Sequence, residues 1–157
     1  MNTLLIATEI ITFEEGFRSK PYYCSEGYPT IGIGTKIGNK SIDIKDLRLE
    51  FSGKVAKVIL EEKILEIDSK LASHNFYDQN CERQAVLISM AYQLGVSGLL
   101  KFKKTLRFLD EAKYESAAKE CLDSRWARQT PNRARRHAEV IRKGVLSPCY
   151  KLLFEKA

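Results

Sequence analysis

A chain of 157 residues, 44% hydrophobic and 29% charged, is long enough to bury roughly 70% of its unfolded surface, which predicts one folding unit with a sizeable core. That balance excludes collagen-like, disordered and low-complexity classes, and no stretch approaches about eighteen uninterrupted apolar residues, so no membrane-spanning helix is predicted. A formal net charge of +6 admits an anionic partner: nucleic acid, anionic lipid or an acidic polymer.

The first predicted element runs from Thr3 to Phe13. Leu4, Leu5, Ile6, Ile10, Ile11 and Phe13 give it a broad apolar face, and Gly16 is its stop. No basic region precedes the apolar run, Glu9 interrupts it and no small-residue cleavage site follows. The segment reads as structure rather than as a secretory signal, and cytoplasmic accumulation is the expectation. Glu15 falls in the last turn, facing unsatisfied helix carbonyls. With Phe13 and Phe17 excluding water around it, that placement suits a general acid; the competing reading is a solvated helix-end carboxylate.

Arg18 to Tyr23 and Tyr28 to Ile33 are rich in aromatic and β-branched residues and are separated by Ser25-Glu26-Gly27, which predicts an antiparallel hairpin. In Thr30-Ile31-Gly32-Ile33-Gly34 the isoleucines face one way and the glycines leave the other face bare, a surface suited to close approach by a ligand. The glycine spacing is not a phosphate loop, because no Lys-Ser or Lys-Thr follows and the context is not strand-to-helix.

A long helical pattern spans about 53–72, with Val55, Val58, Ile59, Ile64, Leu65, Ile67 and Leu71 inward, and is expected to bridge two lobes. A helix from Asn80 or Cys81 to Leu94 is capped near Asn80 and closed by Gly95. Another, Ser97 to Ala112, turns Leu99, Leu100, Phe102, Leu106 and Leu109 inward, and a third covers Tyr114 to Ala127. Thr130-Pro131 and Ser147-Pro148 each place a capping hydroxyl before a proline, so helices should begin at both, the first ending at Gly144.

Cys24, Cys81, Cys121 and Cys149 are scattered, with no Cys-x-x-Cys pair and no histidine at ligand spacing. No metal site and no cofactor are predicted, and free thiols are expected. His74 and His137 are read as structural or surface residues. The late cationic excess, Arg125, Arg128, Arg133, Arg135, Arg136, Arg142 and Lys143, is read as a solvated helix face that can steer the chain toward an anionic polymer.

Glu15, eight residues, Cys24, five residues and Thr30 resemble the Glu, Asp-or-Cys, Thr triad of the phage-type lysozymes, the endolysin family of glycoside hydrolases. The flanking Glu15-Gly16-Phe17-Arg18 and Glu26-Gly27-Tyr28-Pro29-Thr30-Ile31-Gly32-Ile33-Gly34 are similar to the T-even members. So are Gln84-Ala85-Val86-Leu87-Ile88-Ser89-Met90, Gln93-Leu94-Gly95, and Ser124 to Ala134. The middle, about 36–80, matches poorly and is shorter.

The resemblance implies an α+β, lysozyme-like single domain over 1–157: an N-terminal lobe at about 14–55 with a hairpin, a linking helix, a helical C-terminal lobe at about 76–157 that also takes the first helix, and a cleft between. It implies hydrolysis of the β-1,4 bond between N-acetylmuramic acid and N-acetylglucosamine in bacterial peptidoglycan. Glu15 would protonate the departing oxygen. Cys24, where a second carboxylate is usual, is left open as nucleophile, water-orienting group or passive residue whose task passes to Thr30 or Glu26. Thr30 would hold the attacking water. Tyr92 and Gln93 would look into the cleft. Thr105 stands where the family has a sugar-contacting serine, Glu120 where it has a substrate-contacting asparagine, and Lys36 in place of an apolar contact.

Trp126 is expected to pack the C-terminal core. A monomer is expected, released from the host cytoplasm to the periplasm at lysis through a separate holin, with no stable membrane insertion. Two other readings compete: a lytic transglycosylase, which needs the acid but no water-activating partner, and a basic nucleic-acid-binding module, which has no recognised base-reading motif here.

Overall fold

The computed structural model describes residues 2–155; residues 1, 156 and 157, at the ends of the expected domain, lie outside the described residues. Helix α1, Thr3–Glu15, starts at Asn2, whose side chain accepts from the Leu5 N–H, and ends at Gly16. It buries Ile6, Ala7, Ile10 and Ile11 completely, packing chiefly on α3, Cys81–Leu94, and on α2, Gly53–Leu71. The apolar face is narrower than the sequence suggests, since Leu5 and Phe13 are 44% and 43% exposed.

Three antiparallel strands follow, β1 (Arg18–Tyr23), β2 (Pro29–Gly32) and β3 (Thr35–Lys36), in the order β1-β2-β3. The predicted hairpin is present and the two-residue third strand is an addition. Between the pairs Arg18↔Gly32 and Tyr22↔Thr30 the register slips. Pro21 lies in that slip, lacks an N–H to give the ladder and bulges the strand. The Ser19 carbonyl freed there accepts from Phe51 N–H at 2.8 Å.

Ile31 and Ile33 turn inward, as the alternation predicts. The bare face beside Gly32 is not open to a ligand: a methyl group there would lie 3.1 Å from Ala56 Cβ and 3.3 Å from Phe51. That glycine lets the sheet seat on α2.

Helix α2 is capped by Ser52 and has the expected span, but its inward stripe is Ala56, Leu60, Ile64, Ile67 and Leu71. Val55, Val58 and Leu65, expected inward, are 46%, 53% and 47% exposed. The small Ala56 carries little hydrophobic signal, yet it shares a face with Leu60 and Ile64 at helical spacing, and that face is the one covered by α1, α3 and β2.

Helix α3 begins on the Asn80 cap and ends at Gly95 as predicted. The next predicted helix is two, α4 (Val96–Leu99) and α5 (Lys103–Asp110), because the chain tightens between them, with Phe102 N–H bonding the Leu99 carbonyl and Phe102 at ψ 50°. The predicted Tyr114–Ala127 helix is likewise two, α6 (Tyr114–Leu122) and α7 (Arg125–Gln129). Ser124 divides them: its hydroxyl accepts from Ala127 N–H at 3.1 Å and starts a fresh helix.

Helix α8, Pro131–Lys143, starts and stops where predicted, at a proline and at left-handed Gly144. Thr130, however, does not cap it; its hydroxyl donates to the Trp126 carbonyl at 3.1 Å. Helix α9, Pro148–Glu155, begins at the second predicted proline. One buried cluster runs through all these helices, with Trp126 within it at 3% exposure as expected.

The corrected α2 face is testable by urea titration. Ile64→Ala should cost about 2–5 kcal/mol, whereas Val58→Ser should stay within about 0.5 kcal/mol of wild type. Equal losses would contradict the assignment of faces.

Candidate active site

Glu15 is the last residue of α1, so its side chain leaves the helix where the chain turns into the sheet. Two neighbours fix it. Arg133 Nη1, from the first turn of α8, donates to Glu15 Oε1 at 2.6 Å, and both side chains are largely buried, at 7% and 22% exposure. Gly34 lies against the other oxygen: a Cβ there would sit 2.9 Å from Glu15 Oε2. Gly34 also has φ +69°, a conformation costly for any residue with a side chain.

The aromatic shield expected around Glu15 is absent. Phe13 and Phe17 are about half exposed, and Phe13 instead meets the Tyr150 ring edge-on at 5.8 Å. Glu15 is therefore half of an ion pair with one oxygen tied and the other beside the cleft, not an isolated acid among apolar rings.

Glu15, Cys24 and Thr30 line one pocket, with Tyr22, Ser25, Glu26, Gly34, Lys36, Tyr92, Gln93, Gln129 and Thr130 completing its wall. Cys24 opens the hairpin turn, its N–H bonding the Tyr28 carbonyl at 3.0 Å and its carbonyl accepting from Gly27 N–H at 2.8 Å. Burial pushes its thiol up. Hydrogen bonds from the Tyr28 and Glu26 backbone and the charge of Lys36 act the other way and leave it below the ordinary cysteine value. Thr30 is paired across the sheet with Tyr22 and is 2% exposed. Its hydroxyl donates to the Tyr28 carbonyl at 2.9 Å, which leaves the oxygen free to accept.

The other sequence-derived residues divide between two hollows. Tyr92 and Gln93 do reach this pocket. Tyr92 donates to the Ile33 carbonyl at 2.6 Å, tying α3 to the β2–β3 turn that holds Gly34, and burial with the nearby Glu15 charge pushes its hydroxyl up to about 12. Gln93 Oε1 accepts from Trp126 Nε1 at 2.8 Å, so its amide nitrogen is left for a ligand. Lys36 is in the wall too, bonded to Glu26 at 3.1 Å and 4.3 Å from the centre of the Tyr28 ring.

Thr105 and Glu120 line an adjoining groove that shares Glu26 and Gln129 with the first pocket. Thr105 is 1% exposed and its hydroxyl has no partner among the described residues; Glu120 meets Lys104 at 3.4 Å. Among the described residues no group of histidine, cysteine and acidic side chains is placed to hold a metal ion, and no helix is long and apolar enough to cross a membrane.

Arg133 is the site residue that the sequence reading places wrongly, in a solvated cationic run. Its signal was periodic: Arg133, Ala134, His137, Ala138 and Ile141 share the buried face of α8, so an arginine on that stripe must have a partner inside. Arg136 is likewise withdrawn, paired with the 5% exposed Glu14 at 2.7 Å.

The pocket thus brings together a carboxyl from a helix end with a thiol and a hydroxyl from the hairpin. Residues 12–139 match the family model described as phage lysozyme. "Probable T4-type lysozyme 1" of Dictyostelium discoideum is 32% identical over 88% of this chain and 95% of that protein. "Probable T4-type lysozyme 2" of the same organism is 30% identical over 88% and 94%. "Pre-baseplate central spike protein Gp5" of Enterobacteria phage T4 is 32% identical over 92% of this chain and 29% of that longer protein. The chain belongs to the phage lysozyme family and is a glycoside hydrolase of the muramidase type, acting on peptidoglycan.

Two measurements check the geometry. Gly34→Ala should put a methyl group onto the Glu15 carboxyl and lower hydrolysis at least about tenfold, while unfolding shows only the strain of positive φ, about 1–2 kcal/mol. Alkylation by iodoacetamide near neutral pH should modify Cys24 first, because its thiol lies below the ordinary cysteine value and lines an open pocket. Cys121, fully buried with its thiol pushed up to about 12, should react last. The reverse order would contradict the electrostatics described for the hairpin.

Proposed function

We propose that this protein hydrolyses the β-1,4 bond between N-acetylmuramic acid and N-acetylglucosamine with Glu15 as general acid. The observation that carries the reading is the convergence of Glu15, Cys24 and Thr30 on one pocket wall. Glu15 Oε2 gives its proton to the departing glycosidic oxygen as the sugar develops positive charge. Water enters from the hairpin side and bonds to the anomeric carbon.

Thr30 oxygen accepts one hydrogen of that water, its own proton being spent on Tyr28. The Cys24 thiolate takes the proton that the water releases, a role supported by the interactions that lower its thiol. The Cys24 thiol then releases that proton to solvent and Glu15 takes one up, which restores both groups. The amide nitrogen of Gln93, Lys36 and the groove holding Thr105 and Glu120 lie along the path of a longer glycan and supply its contacts.

The biological setting that fits is lysis of a bacterial host from within. The protein acts as a monomer, accumulates in the cytoplasm and reaches the wall through a holin-made opening. Its cationic outer face, Arg125, Arg128, Arg135 and Arg142, speeds encounter with the anionic envelope without choosing the bond.

The test is loss of turbidity of purified peptidoglycan with product analysis. Glu15→Gln should reduce the rate by about 10²–10⁴-fold. Cys24→Asp, which restores a carboxylate, should retain activity, and Cys24→Ser should lose most of it. Products should carry a free reducing end on N-acetylmuramic acid; an anhydro sugar would replace hydrolysis with transglycosylation. Expression should lyse cells only when the inner membrane is permeabilised.

A further inference from the structure

Behind Arg133 a row of buried polar groups leads away from the cleft, and the sugar chemistry uses none of them. Arg133 Nη2 donates to Ser89 Oγ at 3.0 Å and to the Ser89 carbonyl at 3.1 Å. Ser89 Oγ is 2.8 Å from His137 Nε2. On the far side of that ring, Nδ1 is 3.0 Å from the Tyr150 hydroxyl, which donates to Glu14 Oε1. Arg136 closes the row with two bonds of 2.7 Å to the Glu14 carboxylate. Ser89, His137 and Tyr150 are all at 0% exposure.

The Glu14 end of the row sets the direction of its bonds. A carboxylate only accepts, so Tyr150 gives its proton to Glu14 and accepts from His137, which places the imidazole proton on Nδ1. A neutral ring then has a bare Nε2, which takes the proton of Ser89 Oγ, while that oxygen accepts from Arg133, a group that only donates. Both ends are satisfied by the same neutral tautomer. Burial, with the Arg133 and Arg136 charges, holds the imidazole well below its ordinary value of 6.5. Facing the ring are Arg133 and Arg136 from its own helix, Tyr150 from α9, Glu14 from α1 behind Tyr150, and the uncharged Trp126 at 5.8 Å.

We propose that Ser89 and His137 are positioning residues for the catalytic acid: their one-way hydrogen-bond relay holds the Arg133 guanidinium against Glu15 Oε1 and so keeps Oε2 toward the cleft. This rests on Glu15 being the acid. Arg133 Nε has no partner among the described residues, so Nη1 and Nη2 alone fix the guanidinium plane. Without the relay, Nη2 keeps one carbonyl and the plane is free to tilt, carrying the Glu15 oxygens with it. A displacement of this kind near reacting atoms lowers turnover more than binding.

The first test is the imidazole ¹⁵N spectrum of the full chain. His137 should show a protonated Nδ1 and a bare Nε2 from about pH 8 down to about pH 5. A proton on Nε2, or protonation of both ring nitrogens within that range, would overturn the relay. The second test is kcat and KM on soluble glycan strands. His137→Phe should lower kcat about tenfold or more with KM changed less than about twofold, and His137→Gln, which supplies one acceptor and one donor, should regain most of that loss.

Ser89→Ala removes the neighbouring link with a smaller change of volume and should show the same loss confined to kcat, which covers the case that the phenylalanine variant does not fold. Wild-type kcat in folded Ser89→Ala, beside an inactive Glu15→Gln, would overturn the relay alone. Wild-type kcat in Glu15→Gln would overturn the acid assignment and the relay together.

Discussion

The contact between Glu15 and Arg133 joins residues 118 positions apart at 2.6 Å, and the arrangement of the cleft depends on it. One partner ends the first helix and the other lies in the first turn of α8, so the bond closes the chain on itself where the sheet leaves the helical body. An ion pair this sheltered contributes more through geometry than through net stability, because the cost of drying both charges offsets much of their attraction. What it supplies is orientation. One carboxyl oxygen is occupied, which decides where the other one points.

The sheet is shaped around that orientation. Gly34 removes the side chain that would collide with Glu15, and Tyr92 pins the Ile33 carbonyl so that the glycine stays in place. The bulge at Pro21 offsets β1 against β2 and sets Tyr22 opposite Thr30. Cys24 then falls at the start of the turn, where backbone donors and Lys36 stabilise a thiolate that burial alone would suppress.

Elements marked by strong local chemistry were legible in the sequence: the Asn80 neighbourhood as a helix start, Gly95 and Gly144 as stops, Pro131 and Pro148 as first helical residues, and the hairpin between Tyr23 and Tyr28. Elements fixed by packing were not. The α2 face turns on Ala56, whose side chain is too small to register as apolar pattern, while the larger Val58 is left in solvent. The breaks at Phe102 and Ser124 sit inside continuous helical periodicity and show only as a tightened turn and a capping hydroxyl. Of the candidate site, Glu15, Cys24 and Thr30 came from the family resemblance of one short stretch, and the structure lines one pocket with all three. Arg133 and His137 escaped because their partners, on α1, α3 and α9, are distant in the chain and their neighbours on α8 are exposed cations that hide the buried stripe.

The dependence of the acid on its cationic partner is measured most directly by kcat for folded Arg133→Gln on soluble glycan strands. The substitution keeps hydrogen-bonding capacity and removes the charge and the forked geometry. Turnover should fall about 10²-fold with KM nearly unchanged. Wild-type turnover in that variant would mean that Glu15 is aimed into the cleft without Arg133.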